Sequence, residues 1–326
     1  MAKGAYFGVN SLAKKVKKMY IGVGGVARQV KVGYFGVNNK AYEIYNNKNF
    51  VMPEFSGSHA IFGDENSGRI EIYESGTLKL YPGIYDYFLV GGGGCTRPCY
   101  WYISDRNDCE GGAGGGYTKT EKNVNINKTE QMFVYIGAGA TQTKISDGNV
   151  SWSQSGGSTS IGSISASGGW TNGYKNDSSE YGLDSGYLAK DYGGDGGSGG
   201  GNVPYRNDDI PNGASNGATS QKFEKYGGGY FDGGIGQNTT TRAFEDIDGV
   251  LYAGGGAAGR ASGTGSAGTG GLGGGGNGFS NSGGRATPGT PNTGGGGGGN
   301  GVYRSSTEYM GTDGGSGIVI IRWNNI

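Results

Sequence analysis

The sequence predicts an all-β protein, in which N-terminal β-hairpin repeats precede a β-sandwich carrying a bundle of polyglycine II helices. Three observations lead to this prediction. Glycine occupies 76 of the 326 positions, and each glycine costs roughly 1 kcal/mol in a helix relative to alanine. A motif with a period of 14 residues recurs at the N-terminus. Short β-prone runs alternate with glycine tracts in the rest of the chain.

Composition argues against a disordered linker and limits the expected partners. Glycine with serine and asparagine can form a flexible linker, but the chain also has 23 Tyr, 11 Phe and 4 Trp, which disordered chains lack. Lys+Arg and Asp+Glu both number 27. The formal net charge is therefore zero and gives no reason to expect nucleic acid as a partner. No apolar run is long enough to span a membrane, and the N-terminus lacks the apolar core of a secretory signal. We therefore expect neither membrane insertion nor export by that route.

Residues 1–45 contain three copies of the repeated unit, each with two β-prone halves. Between the halves stand residue pairs that tolerate positive φ and favour a tight turn: Asn10-Ser11, Gly24-Gly25 and Asn38-Asn39. A single hairpin is marginally stable, so we expect the three to stack on each other or on copies from other subunits. Their basic excess is either a solvated or subunit-facing strand surface or a docking site for an acidic partner.

A predicted connector, residues 46–68, leads to a β-sandwich that starts at Arg69. Short strands separated by turn signals favour this architecture. The predicted strands lie at 70–72, 78–80, 84–90, Thr118–Ile126, 132–136, around Ile145 and Trp152, and at 158–166. The last strand, 318–323, is continuously apolar up to Arg322 and is predicted to be central and buried. A long glycine-rich insertion separates it in sequence from the others.

The glycine-rich insertion has a period of three residues. Gly265, Gly268, Gly271 and Gly274 are three apart, and so are Gly311, Gly314 and Gly317. Three residues per turn is the geometry of polyproline II, which forms no internal hydrogen bonds and needs partners in neighbouring segments. Because glycine has no Cβ, such segments can approach closely enough to bond on all sides, which predicts a bundle. Collagen is excluded, because the register breaks often and proline totals only seven.

These blocks, in their order along the chain, resemble the glycine-rich domain of phage tail fibre and tail tip proteins. The matching segments begin with 82–94, 111–117 and 134–140 and end with 314–323. That last segment, Gly-Gly-Ser-Gly-Ile-Val-Ile-Ile-Arg-Trp, is the most specific element. The N-terminal units resemble repeats of tail proteins from phages and prophages of Gram-positive bacteria. The sandwich with glycine helices is also similar to the glycine-rich domain of anaplastic lymphoma kinase receptors.

The resemblance implies a host-binding protein of a phage tail or phage-tail-like particle, synthesised in the bacterial cytoplasm and located in the virion. Residues 1–45 would contact other tail or baseplate proteins. A homotrimer is suggested because such tail proteins are commonly trimeric and because the repeats have unpaired β surface. Adhesins on long tail fibres of some T-even-like phages also have a glycine-helix bundle, and loops at its end contact the receptor. This chain differs from them by carrying its own repeat module.

The resemblance further implies that the non-glycine islands recognise a bacterial surface polysaccharide or protein. The islands are 96–108, 172–192, 202–226, 237–252 and 302–310. The candidate receptor-binding residues in or beside them are Tyr100, Trp101, Tyr102, Tyr174, Tyr205, Arg206, Tyr226, Tyr230, Phe231, Tyr303 and Tyr309. Such aromatics either contact the receptor, as Tyr does in paratopes, or pack flat over glycine segments.

Enzyme chemistry, cofactors and metals are not expected. The lone His59, predicted to lie exposed in the connector, removes His-based metal sites and disfavours a Ser-His-Asp triad. The acid pairs Asp208-Asp209 and Asp246/Asp248 can bind a cation but are typical turn residues. Two alternatives to an adhesin are a purely structural virion or surface-fibre protein and a polysaccharide-degrading tail spike.

Three cysteines, Cys95, Cys99 and Cys109, bracket the aromatic residues Tyr100, Trp101 and Tyr102. A Cys95–Cys109 or Cys99–Cys109 disulfide would shape this loop, and would form only after release from a reducing cytosol. Three free thiols, or a zinc site with one outside ligand, are the alternatives.

Overall fold

A computed structural model gives the fold. It describes residues 6–9, 12–15, 20–23, 26–30, 32–37, 40–46, 50–97, 108–144, 150–173, 192–203, 209–224, 230–259, 268–280, 284–302 and 311–324. The chain forms two compact units, Met1–Val51 and Met52–Ile326.

The first unit contains three antiparallel strand pairs. They are β1 (Tyr6–Val9) with β2 (Leu12–Lys15), β3 (Tyr20–Val23) with β4 (Val26–Gln29), and β5 (Val32–Val37) with β6 (Lys40–Asn46). The pairing brings Val9 opposite Leu12 and Val23 opposite Val26. Two residues therefore join the strands in each case, at the positions where the sequence predicts turns, and these joining residues lie outside the described part. Stacking of the pairs remains a prediction.

The second unit is built on two five-stranded antiparallel sheets. The first has the order β18-β17-β14-β10-β7, with strands β7 (Glu54–Phe55), β10 (Gly76–Leu80), β14 (Glu130–Tyr135), β17 (Thr159–Ile161) and β18 (Ile164–Ala166). The second has the order β13-β11-β22-β9-β8, with strands β8 (His59–Gly63), β9 (Ser67–Ile72), β11 (Gly83–Val90), β13 (Thr118–Ile126) and β22 (Ile318–Asn324). The two sheets contact each other through β17 and β18 of the first and β11, β13 and β22 of the second.

Short strand pairs complete the described elements. β12 (Asp108–Cys109) pairs with β21 (Gly301–Val302), β15 (Gln142–Lys144) with β16 (Val150–Trp152), and β19 (Phe223–Glu224) with β20 (Tyr230–Phe231). The described residues contain no α-helix, only a 3-10 turn at Ala243–Glu245. The all-β prediction is confirmed.

The last strand, β22, lies at the centre of the second sheet, between β11 and β9. Val319, Ile321 and Trp323 are buried on one face, and the Trp323 Nε1 donates to the Asp64 carbonyl oxygen at 2.8 Å. Ile318 and Ile320 are buried on the other face, in a cluster that includes Phe244. Burial on both faces explains why the strand is apolar without alternation.

Two strands lie inside the stretch predicted to be a connector, so the sandwich begins earlier than Arg69. β7 pairs with β10, and β8 pairs with β9 at the edge of the second sheet. Most of β8 is exposed, so it lacks the alternation of apolar and polar residues that marks a half-buried strand. His59 lies on β8 rather than in a loop, exposed, with Nδ1 2.7 Å from the Gly57 carbonyl oxygen.

Glycine-rich stretches, here called the glycine segments, connect these strands without being helix or strand themselves. Segment 110–117 donates backbone hydrogen bonds of 2.7–3.0 Å to three different neighbours. One neighbour is segment 294–300, in which Asn300, Gly297 and Gly294 accept from the amides of Glu110, Ala113 and Gly116. A second neighbour accepts at Gly201 and Ser198 from Gly112 and Gly115. The third accepts at Trp170 and Ser167 from Gly114 and Tyr117. Every third amide of this segment therefore points to the same neighbour.

Close approach of these backbones requires glycine. A Cβ on Gly114 would lie 2.0 Å from the Asp195 carbonyl oxygen, and one on Gly112 would lie 2.0 Å from that of Gly256. Neither oxygen belongs to a side chain that could rotate away. The hydrogen bonds between the segments thus depend on residues that have no side chain.

Candidate functional site

The glycine segments run from the sheets to a common far end, which we call the distal end. It comprises Thr96, Arg97, Glu110, Asn172, Asn202, Asn300 and Thr312. Segment 91–97 leaves the second sheet directly after β11, and segment 311–317 returns directly into β22. The Thr96 amide donates to the Thr312 carbonyl oxygen at 2.9 Å, and the Glu110 amide donates to that of Asn300 at 3.0 Å.

The distal end joins residues that border stretches far apart in the sequence, and these bordering residues are here called stems. Stems of 98–107, 174–191, 260–267 and 303–310 meet there. The Arg97 amide donates to Asn172 Oδ1 at 2.8 Å, and the Gly259 amide donates to the Glu110 carbonyl oxygen at 2.8 Å. β12 and β21 add a short ladder between two more stems. Described residues far apart in sequence thus lie side by side.

Polar side chains, rather than apolar ones, fill the distal end. Thr96, Glu110, Asn172 and Asn202 have no exposed surface, and Arg97 is 8% exposed. The Thr312 hydroxyl donates to the Gly298 carbonyl oxygen, and the Thr312 amide donates to Thr96 Oγ1 at 2.8 Å. Buried polar groups that are hydrogen-bonded fix a single arrangement, because any other arrangement would leave them unsatisfied. The stems are therefore held in defined positions.

The sequence predicts recognition in the islands, whereas the buried polar residues of the distal end are not among the predicted site residues. Arg97, Glu110, Asn202 and Asn300 stand at boundaries between a glycine tract and an island. A charged or amide side chain at such a boundary is a signal that could have been used. The signal is weak because hydrogen bonding between segments that are distant in sequence produces no recognisable local sequence pattern.

Two predicted receptor-binding residues lie within the described part. Tyr230 is 62% exposed on β20, which suits a contact residue, and the backbone of Phe231 pairs with Phe223 in the same ladder. The others lie outside the described residues: Tyr100, Trp101, Tyr102, Tyr174, Tyr205, Arg206, Tyr226, Tyr303 and Tyr309. Their roles remain predictions.

The island 237–252 lies against the second sheet, and its role in recognition remains a prediction. Phe244 is 5% exposed and packs on Phe88, with ring centroids 5.9 Å apart. Arg322, on β22, stacks over the Phe244 ring at 4.1 Å and forms an ion pair with Asp246. The hydrogen bond from Arg322 lowers the pKa of Asp246. Asp246 therefore anchors this island to the sheet.

Cys95 is a free, fully buried thiol, so the Cys95–Cys109 disulfide is not formed. Its Sγ lies 3.4 Å from Thr171 Oγ1 and 3.6 Å from the Ser153 carbonyl oxygen, which are oxygen neighbours and not zinc ligands of the expected kind. Burial raises the pKa of Cys95 to about 11, so the thiol is protonated at neutral pH. Cys99, and the Cys109 side chain, lie outside the described part, so the Cys99–Cys109 pairing remains a prediction.

No group of three or more His, Cys, Asp or Glu side chains in the described residues is arranged to hold a metal ion. Among the same residues, no helix has the length and apolar character needed to cross a membrane.

A match to a known protein family covers most of the second unit. The sequence profile of the family described as "Glycine-rich domain" matches residues 76–324. The chain belongs to the glycine-rich domain family. The match begins at β10 and ends at the last residue of β22, so the family unit includes seven of the ten strands of the two sheets, all except β7, β8 and β9, together with the glycine segments between them. No curated protein gives a significant match to the chain.

Proposed function

We propose that this protein is a host-attachment component of a phage tail or phage-tail-like particle, and that the distal end presents its receptor-binding segments. The observation that carries the proposal is the convergence of stems: residues beside the stretches 98–107, 174–191, 260–267 and 303–310 are hydrogen-bonded to each other at one end of the glycine segments. Grouping variable side chains on a rigid scaffold is how binding loops are generally presented. Attachment would be non-covalent.

We further propose that the glycine segments are polyglycine II helices. The three-residue recurrence of hydrogen-bond partners along 110–117 supports this, because a left-handed helix with three residues per turn directs every third amide the same way. Segment 253–259 supports it too. Its Gly255 and Ala258 amides donate to Ala214 and Pro211, which are themselves three residues apart. Bonds in several directions make a stiff support for the distal end.

Residues 1–45 are proposed to attach the chain to other tail or baseplate proteins and to form a homotrimer. Support comes from the antiparallel strand pairs of the first unit, each of which has only two strands. Isolated two-stranded pairs are marginal in water, so further strands are needed to stabilise them. Several copies on one particle would turn weak receptor contacts into avid attachment.

The test is binding of the labelled full-length chain to a panel of bacterial strains. The variant replaces Tyr100, Trp101 and Tyr102 together with alanine, between the stems Arg97 and Asp108. The matched control changes Ile247 and Val250 to serine; both are exposed, at 88% and 66%, on the island that packs against the sheet. We expect saturable binding to a few strains, weakened by the aromatic variant and unchanged by the control.

Other outcomes separate the alternatives. Binding to no strain, even after fusion to a trimerising scaffold, would contradict attachment and leave a purely structural role. Binding that the control and the aromatic variant weaken equally would place the contact away from the distal end. Release of soluble sugar from cell-wall polysaccharide by the purified chain would indicate a degrading tail spike instead.

A further inference from the structure

A groove of about 570 Å³ lies beside the glycine segments. It is formed where residues 155–158 and 167–170 lie beside Tyr117, and these residues differ from those that define the distal end. Ser158 directly precedes β17, and Ser167 directly follows β18. The groove is thus separate from the stems that carry the proposed receptor-binding segments.

Glycine backbone forms the bottom of the groove, and side chains form its rim. Gly156 and Gly168 are buried, whereas Ser158 and Ser167 are exposed. The two backbones are tightly joined: the Gly156 amide donates to the Gly169 carbonyl oxygen at 2.9 Å. A Cβ on Gly168 would lie 2.0 Å from the Gly156 carbonyl oxygen. The bottom is therefore rigid, and its shape depends on glycine at both positions.

The rim combines aromatic faces with hydroxyl groups. Tyr117 and Trp170 are half-buried, and Ser155 is half-buried opposite Trp170, with which it forms an isolated β-bridge. The hydroxyls of Ser155, Ser158 and Ser167 and the Trp170 Nε1 form no hydrogen bond to any residue in the described part of the chain. These groups are available to a ligand. None of the described residues that line the groove carries a charge at neutral pH.

We propose that this groove binds a neutral saccharide. Sugar rings have an apolar C–H face that suits Trp and Tyr, and hydroxyls that suit serine and backbone carbonyl groups. The described lining residues include no cationic group, so they offer an anionic ligand no charged partner. The volume lies within the range of about 300–1,000 Å³ found for small-molecule sites, which likewise combine apolar walls with a few polar groups.

The test is calorimetric titration of the full-length chain with two sets of oligosaccharides. The neutral set contains oligomers of glucose, galactose, mannose and N-acetylglucosamine, and the anionic set contains oligomers of galacturonic acid. We expect saturable binding to at least one neutral oligomer and weaker or no binding to the anionic set. Truncating the aromatic wall with Trp170→Ala should weaken binding by about tenfold or more, as for other aromatic anchors.

A second variant protects the test against loss of folding. Ser158→Arg places a bulky side chain at an exposed rim position, so the backbone is unaffected while the groove is obstructed; we expect the same loss of binding. The matched control is Tyr135→Ala, which removes an aromatic that is 53% exposed on β14, outside the groove. Binding by the control should equal that of the unchanged chain.

Three results would overturn the proposal: no neutral oligomer binds, only anionic oligomers bind, or binding survives both Trp170→Ala and Ser158→Arg. The result is independent of host attachment. The chain with alanine at Tyr100, Trp101 and Tyr102 should keep full saccharide affinity, and loss of that affinity would contradict a separate groove. If the chain does not bind cells but still binds a neutral oligomer, the proposed function fails and the saccharide proposal stands.

Discussion

The sheets and the glycine segments of the second unit are stabilised in opposite ways. In the second sheet, Phe88, Leu89 and Ile321 have no exposed surface, and the burial of such side chains drives folding. In the glycine segments there are few side chains to bury. Amides and carbonyls of neighbouring segments are instead 2.7–3.0 Å apart around segment 110–117. One region depends on side chains and the other on their absence.

The difference implies different tolerances to substitution. A sandwich core loses stability when a side chain becomes smaller, because a cavity forms. The glycine segments should lose stability when a side chain is added, because the neighbouring backbone cannot move aside. Four predictions measure that contrast, from the largest expected effect on stability to the smallest.

Adding one methyl group to a glycine segment should have the largest effect. Gly114→Ala would place a Cβ 2.0 Å from the Asp195 carbonyl oxygen, and we expect the free energy of unfolding to fall by about 3 kcal/mol or more, the upper range for overpacking. Urea denaturation of the full chain measures the change.

Gly157→Ala is the matched control for this substitution. Its Cβ would lie 3.0 Å from the nearest atom, the Ala138 nitrogen, so a small shift accommodates it. The control should cost clearly less than Gly114→Ala. Equal costs for the two substitutions would mean that close backbone contact does not govern stability in this region.

Removing one methyl group from the sandwich should have a smaller effect. Ile321→Val shortens a side chain with no exposed surface, and such changes cost about 0.5–1.5 kcal/mol. The same denaturation experiment provides the comparison. A larger loss for Ile321→Val than for Gly114→Ala would reverse the proposed contrast between the regions.

The ion pair that joins island 237–252 to the sheet should contribute less still. Asp246 is 41% exposed and pairs with Arg322, so Asp246→Asn should cost less than about 1 kcal/mol, as surface pairs do. The folded-state pKa of Asp246 is lowered, chiefly by the hydrogen bond from Arg322. The stabilisation is therefore present above the ordinary carboxylate pKa and is lost as the pH falls through the lowered value.

Measuring stability against pH for the native chain and for Asp246→Asn tests this point. The difference between the two should shrink on acidification below the carboxylate range. Asp248→Asn is the control, since Asp248 is exposed and forms no ion pair among the described residues. A difference that grows with acidity would contradict the assigned direction of the pKa change.

The buried thiol tests the rigidity of the glycine segments without altering their stability. In a chain with Cys99→Ser and Cys109→Ser, Cys95 is the remaining thiol. Its pKa, raised to about 11 by burial, and its lack of exposure should make alkylation by iodoacetamide at neutral pH very slow until urea unfolds the chain. Rapid alkylation under native conditions would show that the segments open locally.

Much of the sandwich could be predicted from sequence because its signals are local. Thr118–Ile126 and the central position of the last strand are confirmed, since β-prone runs and continuous apolar character can be recognised residue by residue. β7 and β8 were missed because β7 has only two residues and β8 is an exposed edge strand. In both, the pattern of burial that identifies strands is weak.

The candidate site was predictable only in part. The aromatic islands stand out against glycine, but the convergence of the residues that border them depends on contacts such as Arg97 with Asn172, which no local pattern encodes. For the same reason, the packing of island 237–252 against the sheet could not be predicted, because the sequence does not distinguish the buried Phe244 from an exposed loop aromatic. A glycine tract in the sequence indicates that its backbone can pack closely, but it does not indicate which other segment it packs against.

Amide hydrogen exchange tests the central claim most directly, namely that the glycine segments form a rigid, hydrogen-bonded support for the distal end. The amides of Gly112, Ala113, Gly114, Gly115 and Gly116 would be compared with those of β11 in the full-length chain. The account predicts that both sets exchange slowly and only on global unfolding, because both are hydrogen-bonded and buried. Exchange of the glycine amides at the rate of an exposed loop, while β11 stays protected, would contradict it.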